Sequence, residues 1–228
     1  MLVYATAILV ALTSVAIGQE KTGPRLKCST EIFDFGYVPQ GVTVSHTYWL
    51  RNSGSETVNI KQIKPNCGCT QVPPTDSTIA VGDSLPVEIL FGTRNITGKV
   101  EKFTRIISNA EGRVPALTFR AMVFKDDAAP FPVTATPAIV KLGTATTGKV
   151  VLSNMSKNPV RVSVIDIPPG FIHLSVNELS LAPNESKELG FDLLPQQKQG
   201  DFTKSITLET NNPAKTRITI PVTNVQKE

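Results

Sequence analysis

Short apolar–polar alternations broken by turn sequences, a gapless internal repeat and the lack of any helical stripe predict an all-β protein. The spacing of strands and turns in each repeat points to two tandem immunoglobulin-like β-sandwich domains, preceded by a signal peptide.

The N-terminus, MLVYATAILVALTSVAIG, is apolar and uncharged, and it ends in small residues, Ala16 and Gly18, at −3 and −1 before Gln19. That pattern predicts a secretory signal peptide over 1–18, then a mature N-terminal segment over 19–27. The alternative is a membrane anchor, for which the run is short against a span of about 20 residues. An exported chain of this kind is expected in the periplasm or outside a bacterial cell.

The first domain is expected over 28–123. A first strand runs from about Ser29 to Gly36, and YVPQG turns the chain back. In VTVSHTYWLRN, Val42, Val44, His46, Tyr48 and Leu50 share one face, and Thr43, Ser45, Thr47 and Arg51 the other. NSGS reads as a two-residue hairpin turn with Gly54 at positive φ. ETVNIKQI then resumes the alternation, with Val58, Ile60 and Gln62 opposite Thr57, Asn59 and Ile63. SLPVEILFG places Leu85, Val87, Ile89 and Phe91 inward, and KVEKFTRIISN and VPALTFRAMVF complete the set.

Residues 52–109 lie over 154–211 without a gap. Asn52 falls on Asn154, Val58 on Val160, Gly98 on Gly200 and Asn109 on Asn211. Val87, Ile89 and Phe91 fall on Leu189, Phe191 and Leu193. The period is that of a domain, not of a solenoid unit. A second, divergent immunoglobulin-like domain is therefore expected over 133–228. The polar, proline-bearing FKDDAAPFP, 124–132, reads as a short linker.

A net charge of +4, with Lys and Arg scattered and aromatics at 6%, gives no basic patch interleaved with rings. Nucleic acid is not an expected partner. No nucleophile elbow, zinc-protease motif or phosphate-cradling loop is present, so no catalytic or cofactor-binding residue is assigned and the chain is not expected to be an enzyme. NIT, NMS and NES match the N-glycosylation acceptor and are set aside as chance in a Ser/Thr-rich chain.

The stretches FDFGYV, HTYWLRNSGSETVNIKQIKPNCGCT, IAVGDSLPVEILF and TGKVEKFTRIISN, in that order, resemble the bacterial exported family called domain of unknown function 1573. The resemblance covers 31–123. It implies an immunoglobulin-like domain of the major-sperm-protein, ASH and hydin type, and an exported location. Its structural motif is Cys67-Gly68-Cys69-Thr70. The second copy has Pro169-Gly170-Phe171 where the first has Cys67-Gly68-Cys69.

Cys67 and Cys69 are the residues most in need of an account. With NSGS as a hairpin, His46 faces Lys61 and Cys67 falls near Gln40. His46 then lies roughly 20 Å from Cys67, and no four-ligand zinc set exists. A bond from Cys28 to Cys67 requires the first segment to bend, because disulfide Cα atoms lie within about 7 Å. Three local readings stay open. The thiols are buried plugs with Gly68 in an unusual conformation; or they cycle between dithiol and disulfide; or they bind Cu(I), the one cofactor considered. Pairing with another chain is a further alternative. The expected function is that of a non-catalytic binding or scaffold protein of the cell envelope, with an envelope protein or glycan as partner. The alternative is a copper or thiol-redox protein using Cys67 and Cys69.

Overall fold

The computed structural model describes residues 23–125, 132–195, 200–214 and 216–225. The predicted signal peptide and most of the predicted linker lie outside them.

The described residues form eighteen strands. In the N-terminal lobe these are β1 (Leu26–Cys28), β2 (Ile32–Pro39), β3 (Thr43–Asn52), β4 (Val58–Pro65), β5 (Thr70–Gln71), β6 (Thr78–Ile79), β7 (Ser84–Gly92), β8 (Gly98–Ser108) and β9 (Leu117–Phe124). In the C-terminal lobe they are β10 (Val133–Thr136), β11 (Val140–Lys141), β12 (Thr147–Asn154), β13 (Val160–Asp166), β14 (Ile172–Leu174), β15 (Glu178–Leu181), β16 (Ser186–Leu193), β17 (Thr203–Thr210) and β18 (Arg217–Thr223).

Each lobe has a four-stranded sheet, β1-β3-β7-β5 or β10-β12-β16-β14. Each packs it against part of one ten-stranded sheet, ordered β15-β13-β17-β18-β2-β9-β8-β4-β6 with β11 beside β18. The protein is thus all-β, with two sandwiches in tandem, as the alternation predicts. Two clusters of buried apolar side chains fill them, one around Phe35, Phe91 and Phe119 and the other around Leu152, Leu189 and Ile206.

The phase of β3 and β7 is as read. Val42, Val44, His46, Tyr48 and Leu50 all point into the first core, as do Leu85, Val87, Ile89 and Phe91. The repeat is equally literal. Buried Asn52 donates from Nδ2 to the carbonyls of Glu56 and Ile79, and buried Asn154 does so to those of Asn158 and Leu181. Asn109 Oδ1 accepts from Asn59 N–H, and Asn211 Oδ1 from Arg161 N–H. The aligned asparagines do the same work in both lobes: they satisfy backbone groups where the chain leaves one sheet for the other.

Several expectations are corrected. NSGS does not close a hairpin. β3 pairs with β1 and β7, whereas β4 pairs with β6 and β8, so the chain arches between the two sheets. His46 accordingly faces Ile89, not Lys61. Gly54 has no positive φ. A Cβ there would instead lie 2.6 Å from the Arg25 backbone nitrogen and closer still to the Gly23 carbonyl. The single first strand is two: β1 joins the edge of β3 while β2 joins β9 in the other sheet. In ETVNIKQI the alternation shifts at a bulge between Ile60 and Gln62, which turns Ile63 toward the core and leaves Gln62 exposed. Phe124, read as linker, ends β9.

The lobes are joined by more than the connecting segment. β2 and β18 run parallel, with Tyr37 opposite Ile218. Thr219 Oγ1 donates to the Phe35 carbonyl at 2.6 Å, and Ser45 N–H donates to Ser205 Oγ at 2.9 Å. This buries Ser45, which the alternation places on the outer face.

Candidate functional site: the Cys67–Cys69 loop and its cleft

The chain leaves β4 at Pro65 and re-enters structure at Thr70, so residues 66–69 form the loop between the two sheets. Asn66 anchors its start, its N–H donating to the Phe103 carbonyl at 3.1 Å. Gly92 N–H donates to the Cys69 carbonyl at 2.8 Å and fixes its end.

Cys67 and Cys69 are bonded to each other, with Cα atoms 5.3 Å apart. Both are half-buried, while Gly68 between them is exposed. Of the open readings, the pair of free buried plugs is corrected: the sulfurs are neither free nor fully buried. Gly68 has no positive φ and no atom within 4 Å of where its Cβ would be, so no unusual conformation explains it. Gly170, its counterpart, does have positive φ (64°), so the matched glycines serve different geometries. Cys28 is a free thiol at the far end of the lobe, donating to the Thr30 carbonyl at 3.1 Å. Burial pushes its thiol above the ordinary range, against a smaller lowering effect of that hydrogen bond.

While Cys67 and Cys69 are bonded to each other neither sulfur is a thiolate, the form in which the pair was expected to hold Cu(I). Among the described residues no three His, Cys, Asp or Glu side chains converge as a metal site. His46 lies elsewhere, buried on Phe33 with ring centroids 3.6 Å apart and its Nδ1–H donating to Asp166 Oδ2. His173 is exposed on β14.

Thr70 completes the motif. Its side chain is buried, with Oγ1 3.3 Å from Cys67 Sγ and 3.9 Å from Cys69 Sγ. The bond closes a loop of three residues, which constrains an unfolded chain little: about 1.6 kcal/mol, against about 3 for a 15-residue loop. The second lobe builds the same corner without sulfur. Leu194 N–H donates to the Phe171 carbonyl, as Gly92 does to Cys69, and the buried Phe171 ring packs edge-on against Phe202 at 4.8 Å.

Beside the loop lies an open cleft of about 540 Å³. Gly41, Val42 and Thr43 form one wall, Gly68, Cys69 and Gln71 another, and Arg94, Asn95 and Ile96 a third. Cys69 lines it; Cys67 does not. No atom lies within 4 Å of a Cβ built on Gly41 or Gly68, so bare backbone faces the cleft there. Arg94 is its one charged lining residue and makes no hydrogen bond or ion pair among the described residues. Sequence reading placed Cys67 near Gln40 and so reached this corner through an incorrect hairpin. It missed Gly41, Gly92 and Arg94, for which only the glycines gave a signal.

Residues 26–123 match the family described as "Protein of unknown function (DUF1573)". No curated protein matches the chain. Among solved structures, a protein of unknown function from Porphyromonas gingivalis W83 is 11% identical, with 87% of this chain and 99% of that one covered and a TM-score of 0.36. WR4, a C. elegans MSP family member, is 10% identical over 41% of this chain and 98% of its own, with a TM-score of 0.35. The periplasmic chaperone SfaE is 11% identical over 86% and 98%, with a TM-score of 0.33.

Proposed function

We propose, for a chain whose residues 26–123 match the DUF1573 family, the role of an exported, non-catalytic binding protein of the bacterial cell envelope, built as two joined immunoglobulin-like domains. The observation that carries this reading is the cleft at the Cys67–Cys69 end. Gly41, in the turn between β2 and β3, and Gly68, in the 66–69 loop, have no side chain to cover the backbone at its walls. The cleft offers main-chain donors and acceptors and one unpaired cation, Arg94, but no set of acid, base and nucleophile. That combination suits an extended polypeptide better than a reacting small molecule. The joined sheet supports it by holding the cleft on a frame that need not be ordered on binding.

Export is supported by the apolar leader pattern and by the disulfide, which persists in oxidising compartments. Among the described residues no helix is long and apolar enough to cross a membrane.

The test is retention of envelope components on immobilised mature protein at moderate salt, with Gly68→Trp as control. Gly68 has open space and no positive φ, so tryptophan there fills the cleft without straining the loop. A protein kept by the native chain and lost by the variant is the expected result. Retention of a glycan instead, equal retention by both, or retention of nothing removes the reading.

A further inference from the structure

We propose that the Cys67–Cys69 bond is a thiol–disulfide exchange site, attacked at Cys69 by a thiol of the polypeptide in the cleft, with Cys67 as the leaving sulfur. The proposal rests on the reading of the cleft as a polypeptide site and gives the partner a chemistry: a segment carrying a pair of thiols.

Four features point the same way. The bond is half-exposed at the wall of a cleft, and exposed disulfides are the exchangeable ones. The fold has no need of it, since the second lobe closes the equivalent corner with Phe171. The two sulfurs are also unequal. Cys69 faces the cleft, from which an attacking thiolate arrives. Cys67 does not line the cleft and has the nearer hydroxyl, Thr70 Oγ1 at 3.3 Å against 3.9 Å for Cys69. A hydroxyl that donates to a developing thiolate favours its departure, because a better-stabilised leaving thiolate leaves faster. Arg94, unpaired in the cleft, favours the thiolate form of the incoming group.

The partner's thiol loses its proton and its sulfur attacks Cys69 Sγ. The Cys67–Cys69 bond breaks, and its electron pair goes to Cys67 Sγ, which takes up the proton. A mixed disulfide now joins Cys69 to the partner. The partner's second thiolate attacks its own bonded sulfur and releases Cys69, which takes up the second proton. One protein disulfide has become two thiols, and two partner thiols have become one disulfide. The partner is the reductant.

The experiment uses the full mature chain and reduced glutathione as the probe, with acid quenching at successive times and mapping of the adduct by mass spectrometry. The expected first product carries glutathione on Cys69 and a free thiol on Cys67, with Cys69 adduct exceeding Cys67 adduct on the order of tenfold. Adduct on Cys67, adduct shared equally, or no adduct until urea unfolds the chain overturns the proposal. The mapping is done on native protein and needs no variant. It also separates the two readings. A polypeptide retained by both the native chain and Cys67→Ser/Cys69→Ser, lost by Gly68→Trp, and accompanied by no glutathione adduct leaves the binding site standing and removes exchange. A Cys69 adduct without any retained polypeptide removes the partner, and with it the proposal as stated.

Discussion

His46 Nδ1 lies 2.9 Å from Asp166 Oδ2, and the two residues belong to different lobes. His46 stands on β3 in the first core, its ring stacked on Phe33; Asp166 ends β13 in the second lobe. An ion pair, Lys204 Nζ to both oxygens of Glu88 at 2.7 Å, spans the same junction. Removing Asp166 leaves the buried imidazole N–H without an acceptor. Asp166→Ala should therefore destabilise the chain by about 1–3 kcal/mol. Asp166→Asn, whose amide oxygen still accepts, should lose less. Urea midpoints of the two variants check this; an equal loss in both would show that the contact contributes through charge rather than through the hydrogen bond.

Gly36 makes the junction possible. Its φ is +64°, and a Cβ there would fall inside the backbone of Arg217 on β18. Gly36→Ala meets both obstacles, so β2 and β18 can no longer lie side by side. The expected outcome is a split of one unfolding transition into two, or a loss of stability in excess of about 1–2 kcal/mol, the cost of the left-handed conformation alone. Gly41→Ala has the same sign of φ but open space, and it should show only that smaller cost.

Asn52 and Asn154 should behave as equivalents. Each is fully buried and donates to carbonyls four and twenty-seven residues ahead. Truncation to alanine leaves those carbonyls unpaired, at about 1–3 kcal/mol for each variant. Denaturation of the two single variants measures it. A cost at Asn52 alone would mean that the second lobe tolerates water at its arch.

The Cys67→Ser/Cys69→Ser variant should fold and lose only moderate stability, because a three-residue loop contributes about 1.6 kcal/mol. Its second lobe, which has no cysteine, should be unaffected. Gly68→Ala should be close to neutral, since nothing crowds that position. Urea unfolding of both variants beside the native chain decides the matter. A chain that cannot fold without the bond would assign it a structural role that the second lobe does not predict.

Cys28 supplies the single free thiol of the native protein. Burial raises its pKa, so less of it is thiolate at neutral pH than in an ordinary exposed cysteine. Alkylation by iodoacetamide should be slow at pH 7 and rise with pH beyond the point where a free cysteine levels off. Rates on native and urea-unfolded protein, compared across pH, test this, and native rates equal to unfolded ones would contradict it.

Strand content, core phase and duplication were legible in the chain itself because each is a local property. Alternation with period two assigns Val44 and Phe91 to the interior whatever their strands pair with. Asn52 and Asn154 align because the same arch recurs. What a strand pairs with is not local. NSGS fits a hairpin and an arch equally well by composition, and only the packing of two sheets across Phe35, Phe91 and Phe119 selects the arch. The bulge at Lys61 likewise appears only when β4 must match β8. The tertiary structure alone decided that β18 lies beside β2, that His46 meets Asp166, and that Gly41, Cys69 and Arg94 enclose one cleft. These contacts join residues far apart in the chain. Their energy comes from surfaces complementary in three dimensions, and no window of sequence contains both halves.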